Sequence, residues 1–322
     1  MLLVSLEVAS FVISLLIVRL MAQSSYLLDI PSDRSSHTQP TPRGGGLGFV
    51  VAFAITSTIL SPKVGLWLVL TPLAVVGILD DFYNLPASIR YLVQLISAVM
   101  ALVRFGNFQL TGIDNFALAI VTAIGITALI NFYNFLDGLD GLLAGVSIVQ
   151  LSFLALYLNQ PLWWLLVAAL GGFLWWNWSP AKIFMGDVGS TFLGACIAVS
   201  LLKATENYIH AWSAFVVILP LVTDTVYTII RRLLRKENIF QAHRSHLYQR
   251  LQQAGWTHQQ VVIAYIGLTS AIALSVNFGG KYGVIGSIGA SAVALIAGEF
   301  IIRQQKLDAN DDSTTTPVTT PP

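Results

Sequence analysis

Apolar runs long enough to cross a bilayer recur along almost the whole chain, separated by short polar breaks. Backbone inside a membrane must satisfy its own N–H and C=O groups, so such a chain folds as helices or as a closed barrel. Runs of this length without strict alternation specify helices. Of 322 residues, 55% are hydrophobic and 10% charged, against about a quarter charged in an average soluble domain. Mean hydropathy is +0.73. The sequence predicts an all-α polytopic integral membrane protein with about eleven transmembrane helices. They are placed at 3–21, 45–60, 64–79, 88–105, 116–132, 141–158, 162–178, 188–204, 208–230, 260–277 and 282–302. Residues 1–305 read as a single multi-span domain and 306–322 as a disordered tail, ending in ANDDSTTTPVTTPP.

Several classes fall away. Seventeen basic and sixteen acidic residues give no surplus for nucleic acid. The single cysteine, Cys196, excludes an intramolecular disulfide. The first run lacks a basic n-region and a clean cleavage site, so it reads as a retained helix rather than a signal peptide. No internal repeat marks a transporter of inverted halves. With the N-terminus outside and spans alternating, thirteen Lys and Arg fall on the inner side or at inner helix ends. Four, Lys63, Arg104, Lys203 and Lys281, stay outside. That bias sets the orientation, with the C-terminus cytoplasmic. It also places every polar cluster on the cytoplasmic face, as one composite site requires.

The clusters carry the chemistry. Asp80 and Asp81 end the third span; adjacent carboxylates at the edge of low dielectric repel, and a divalent cation relieves them. Asn131, Asn134, Asp137 and Asp140 are spaced by three, one polar stripe if the segment is helical. Asp187 sits between Gly186 and Gly189 before a span, as a helix cap or as a metal ligand beside N–H groups that receive phosphate. Arg43-Gly44-Gly45-Gly46 resembles an anion-binding turn without the ending of a Walker loop. His243, Arg244, His246 and Arg250, on a long inner loop outside the spans, suit a diphosphate. Asp224 lies inside the ninth span, where an acid needs a cavity or a partner. Trp163, Trp164, Trp175, Trp176 and Trp178 read as interfacial anchors.

PTPRGGG at 40–46, GILDD at 77–81, NFYNFLDGLDGL at 131–142 and FMGDVGS at 184–190, in this order between spans, resemble the polyprenyl-phosphate N-acetylhexosamine-1-phosphate transferases (glycosyltransferase family 4). The likeness covers roughly residues 30 to 255. It implies a bacterial inner-membrane enzyme with its active site facing the cytoplasm. A UDP-N-acetyl sugar, or a 6-deoxy derivative, would give its sugar-1-phosphate to undecaprenyl phosphate and release UMP. It implies Mg²⁺, with Mn²⁺ as a substitute, and leaves room for a homodimer. Asp187 and Asp81 would be metal ligands and Asp80 would position or deprotonate the lipid phosphate. Asn131, Asn134, Asp137 and Asp140 would shape the nucleotide end, with Arg43 in support. His246, Arg244 and His243 would hold the diphosphate or sugar phosphate. The HRSH stretch at 243–246 departs from the family's denser histidine run and turns the expectation toward O-antigen or surface-polysaccharide initiation. The alternatives are a phospho-N-acetylmuramoyl-pentapeptide transferase and, further off, a transporter.

Overall fold

The computed structural model describes residues 1–24, 27–31, 39–106, 113–204, 208–239, 241 and 243–315. Apart from a two-residue antiparallel ladder, β1 (Leu28–Asp29) with β2 (Thr41–Pro42), its regular elements are helical. They are α1 (Leu2–Ala22), α2 (Gly46–Leu60), α3 (Val64–Tyr83), α4 (Ala87–Phe105), α5 (Ile113–Phe135), α6 (Leu142–Tyr157), α7 (Trp163–Asn177), α8 (Asp187–Leu202), α9 (Tyr208–Val216), α10 (Leu219–Leu234), α11 (Leu247–Gln253) and α12 (His258–Thr315). Each predicted span has a helix or helix arm at its place. The ninth is α9 and α10, bent by 73°, with Pro220 in the first turn of α10, where a missing N–H does no harm. The tenth and eleventh are the two arms of α12, broken at Gly280 with φ 51°. Helix α12 runs to Thr315, into the segment expected as a tail, whose residues 316–322 lie outside the described ones.

The fold is an all-α, multi-span membrane bundle, but the count of eleven is not what helix length gives. Among the described residues five helices are long and apolar enough to cross, or six with the bent pair as one. Helices α2, α6, α7 and α8 have 15 or 16 residues. At 1.5 Å per residue that is about 23 Å, short of the ~30 Å hydrocarbon core.

Helix α8 is the hub. From Val188 to Ser200 it is buried on every side, which is why its apolar pattern shows no face. It packs on α3 and α5, with α2 beside it. Small residues set the approach. A Cβ on Gly46 would lie 2.4 Å from Gly189 Cα, and one on Gly77 would lie 2.5 Å from Val188 Cα. The glycines of PTPRGGG and GILDD thus bring α2 and α3 onto the start of α8. Trp163 is not an interfacial anchor. It is 1% exposed, stacked on Phe53 at 5.9 Å, and its indole donates to Gln160 at 2.6 Å. Its polar tip finds a partner inside the bundle, whereas Trp175, at 73% exposure, stays at the surface.

Candidate active site

The polar clusters meet at one end of the bundle around a cavity of about 310 Å³. Arg43, Asp81, Asn134, Asp137, Asp140 and Asp187 line it, as do Asp29, Asn177, Gln249 and His258. The last four carried no signal as isolated residues in a sequence. The Thr257-His-Gln-Gln260 capping box marks a helix start at His258, not its place in the cavity.

Backbone bonds zip the motifs together. Gly45 N–H donates to Phe184 O at 2.9 Å, Gly46 N–H to Met185 O at 2.8 Å and Phe184 N–H to Pro42 O at 2.8 Å. The N–H groups of Gly45 and Gly46 are therefore not offered to an anion. They join PTPRGGG to FMGDVGS. Arg43 donates through Nη2 to the Asp81 carbonyl, and its buried Nε has no partner among the described residues.

Nor does the start of α8 receive phosphate. The Asp81 carboxylate accepts the N–H of Asp187 at 3.0 Å and of Val188 at 3.2 Å, capping α8 from another helix. Gly186, at φ +78°, makes the turn, and a Cβ there would meet Asp81 Oδ2 at 2.6 Å. Asp80 turns the other way, accepting Leu85 N–H at 2.6 Å and Arg90 Nη1 at 2.9 Å. Arg90 also reaches Asp187 Oδ2 at 3.3 Å. The repulsion expected of Asp80 and Asp81 is thus met by protein groups: Arg90 for one, a helix N-terminus for the other.

The expected stripe of four does not form, because α5 stops at Phe135 and α6 starts at Leu142. Gly141 at φ +76° makes the turn between them. Asn134 still faces Asp187, Nδ2 to Oδ2 3.5 Å, and accepts from Ser190 Oγ at 3.1 Å. Asn131, one turn earlier, donates to Gln94 Oε1 at 2.6 Å and to Thr127 O at 2.8 Å, outside the cavity. Asp137 and Asp140 come from the turn. Burial first, then the charges of Asp187 and Asp81, push the Asp137 carboxyl well above the usual carboxylate range. Burial also works to raise Asp140. The hydrogen bond and charge of His258, with bonds from Ala181 N–H and Ser179, outweigh it and hold Asp140 below that range.

His243 and His246 line a second, mostly apolar groove of about 350 Å³ between α4, α5 and α10. Tyr91, Leu95, Phe132 and Phe135 line its length, with Arg232 among the polar groups. His246 is not a free loop residue. It is 3% exposed, with ring centroids 5.0 Å from His243, 5.6 Å from Tyr248 and 6.3 Å from Phe135. Asp224 stands behind it, Oδ1 3.5 Å from His246 Nδ1. The same carboxylate accepts Leu247 N–H at 2.8 Å, Tyr248 N–H at 3.2 Å and the Tyr265 hydroxyl at 2.7 Å. Asp224 thus caps α11 and carries His246, which answers the need for a partner inside a span. Burial, then the charges of His246 and Arg232, push the His243 imidazole down to about 4. Arg244 bonds Gln252 at 3.4 Å and lines neither space. The last turn of α5 and the first turn of α11 divide the two spaces, joined by Tyr248 Oη donating to Phe135 O at 3.0 Å.

Among the described residues no three His, Cys, Asp or Glu side chains are grouped to hold a metal ion by themselves.

The profile of glycosyl transferase family 4 matches residues 64–205. A "probable undecaprenyl-phosphate N-acetylglucosaminyl 1-phosphate transferase" of Bacillus subtilis (strain 168) is 35% identical, over 83% of this chain and 84% of its own length. Proteins named undecaprenyl-phosphate alpha-N-acetylglucosaminyl 1-phosphate transferase are 30% identical in Yersinia pestis and 28% in Escherichia coli (strain K12). The first covers 82% of this chain and 79% of the relative, the second 81% and 78%.

Proposed function

Because the chain belongs to the undecaprenyl-phosphate sugar-1-phosphate transferases of glycosyl transferase family 4, we propose that its acid-lined cavity and basic-ended groove hold the two substrates of that reaction. The protein transfers a sugar-1-phosphate from a UDP-sugar to undecaprenyl phosphate, forming undecaprenyl-diphospho-sugar, as O-antigen-initiating transferases do. We assign the donor as a UDP-N-acetylhexosamine or a 6-deoxy derivative, and the membrane as the bacterial inner membrane. Eleven crossings, with the N-terminus outside and the site on the cytoplasmic face, remain part of this reading. So does residues 1–305 as one transferase domain.

One observation carries it. A polar cavity and an apolar groove lie on opposite sides of the last turn of α5. A water-soluble nucleotide sugar suits the first. An isoprenoid chain suits the second, with its phosphate beside Arg232, His243 and His246. A lipid phosphate oxygen attacks the donor's β-phosphorus. The new bond is that oxygen to phosphorus; the bond that breaks joins phosphorus to the bridging oxygen, which leaves with UMP. The attacking oxygen is largely ionised near neutral pH, so alignment and charge neutralisation matter more than a strong base.

The residues fit a bound Mg²⁺. Asp137, Asp187 and Asp81 converge on one cavity, and the burial and carboxylate charge that raise Asp137 are the conditions a cation relieves. With no enclosing cage among the described residues, the ion would keep water and substrate phosphate as ligands, as Mg²⁺ does elsewhere. Asp187 and Asp137 would hold it. Asp81 keeps lone pairs beyond its two bonds but serves first to fix Asp187. When bound, the ion supplies neutralisation of the diphosphate charge. Arg43 offers Nε to a donor phosphate, and Arg90 keeps Asp80 and Asp187 in register. Asp224 holds His246 at the end of the groove.

The test is a panel of UDP-sugars with purified protein and undecaprenyl phosphate, read by lipid mass and UMP release. A single lipid-diphospho-sugar product is expected; transport of a sugar without UMP release would overturn the reading. In a protein lacking Cys196, a cysteine at Ser245 should label from the cytoplasm and one at Ser61 from outside. Ser36, a further inner position, lies outside the described residues. Labelling of Ser245 and Ser61 from the same face would break the orientation.

A further inference from the structure

Asp140 and His258 pair at one end of the polar cavity. Nδ1 lies 3.2 Å from Oδ2, with the His258 and Asp140 side chains 16% and 12% exposed. The ring's place is set locally. Thr257 Oγ1 accepts Gln260 N–H at 3.2 Å, while Gln260 Oε1 accepts Thr257 N–H at 2.8 Å. This reciprocal capping box fixes His258 as the first residue of α12. Gln259 donates to Ser179 O at 2.9 Å. Asp140 accepts Ala181 N–H from the same loop at 3.2 Å. With Nδ1 directed to Asp140, Nε2 is the ring nitrogen left for the cavity that His258 lines.

Among the described residues the cavity wall carries five aspartates and two basic side chains, Arg43 and His258. Arg43 is bonded to the Asp81 carbonyl, and His258 to Asp140, in the turn between α5 and α6. A nucleotide sugar whose diphosphate lies by Arg43 and Asp187 extends one of its ends toward His258. Gln249 lines the same cavity, and its Oε1 accepts His246 N–H at 3.3 Å, which leaves the amide nitrogen as a donor.

We propose that His258, oriented by Asp140, binds the pyrimidine base of the nucleotide-sugar donor through Nε2. This rests on reading the cavity as the nucleotide-sugar site. The imide edge of uracil places one N–H donor between two carbonyl acceptors. Nε2 finds a complement there whether or not it carries a proton, and Gln249 supplies a second donor. His258 is then a binding residue, and Asp140 a positioning residue that acts through it.

The experiment uses the full chain in detergent, with UMP as the probe, and compares H258A, H258N and H258Q. The Asn amide nitrogen stands near the place of Nδ1 and can keep the Asp140 bond. The Gln amide nitrogen reaches toward the place of Nε2. H258A and H258N should weaken UMP binding and raise the donor KM by about tenfold, with H258Q within about threefold of wild type. The KM for undecaprenyl phosphate should hold in all three, and the melting temperature in H258N, which can keep the Asp140 bond. Loss in H258Q with retention in H258N would overturn the proposal, since the ring would then serve only as a tie for Asp140. Unchanged UMP affinity with a raised donor KM would move the contact to the sugar and overturn the base assignment. A wild-type protein that binds no UMP and releases none would overturn the transferase reading, and this assignment with it.

Discussion

The polar cavity and the groove across α5 are similar in volume, about 310 and 350 Å³, yet they are held together by different means. Loops zipped by backbone bonds hold the cavity, and the Asp187 carboxylate is met by Asn134 at 3.5 Å and Arg90 at 3.3 Å. One buried carboxylate holds the groove's basic end. Asp224, 2% exposed, serves His246, two backbone N–H groups and a tyrosine at once. Chemistry and stability are therefore separable in the cavity and fused in the groove. A buried group with many partners cannot be changed without leaving some of them unsatisfied.

The largest expected effect tests the separable half. Asp187→Asn removes charge but keeps shape, and turnover should fall by on the order of 10³-fold, with the melting temperature nearly unchanged. The checks are UMP release at saturating substrates and a thermal melt. A loss of stability as severe as the loss of rate would break the distinction between the two regions.

Asp224→Ala tests the fused half. It strands the N–H groups of Leu247 and Tyr248 and the hydroxyl of Tyr265, so stability should drop by about 3 kcal/mol and turnover should fall with it. Asp224→Asn, which keeps an acceptor, should fall between. Full stability in Asp224→Ala, measured by denaturant titration, would mean that α11 is capped from elsewhere.

His246→Ala should show both effects in smaller measure. A residue outside the spans would change folding little, but this ring is buried among three others. A stability loss of about 1–3 kcal/mol is expected, with turnover down on the order of 10²-fold. His246→Arg should recover little, since it restores charge without the ring. His243→Ala should be milder in both. If His243→Ala is inactive and His246→Ala is not, the roles of the two rings exchange.

The smallest effect is a pH slope. The folded state holds His243 near 4, below its ordinary value of 6.5. Between those values the unfolded chain binds a proton that the folded chain does not, so stability should fall as pH drops through that window. The contribution is fully present above about 6.5. His243→Gln should flatten this part of the curve in melts from pH 4 to 7. An unaltered slope would show that the ring is not held neutral.

Much of the fold was legible because its signals are local. Apolar runs set eleven helical segments, and α3, α8 and α12 begin or end within a few residues of the expected places. The four motifs that mark the family are each shorter than thirteen residues. Of the site residues that the motifs singled out, Asp81, Asn134, Asp137, Asp140 and Asp187 line one cavity, and Asp80 does not. What spacing could not fix was partnership. A three-residue repeat places side chains on one face only while the helix lasts, and α5 ends before Asp137; Asn131, inside α5, bonds Gln94. Glycine contacts between α2, α3 and α8 bring Asp81 onto a helix N-terminus 106 residues away. Packing also sends Arg90 to two acids at once and seats His258 in the cavity. Local sequence determines which residues are helical and which clusters are polar, because those depend on neighbours within a turn or two. Which charge meets which depends on how whole helices close against one another, and only the tertiary structure decides that.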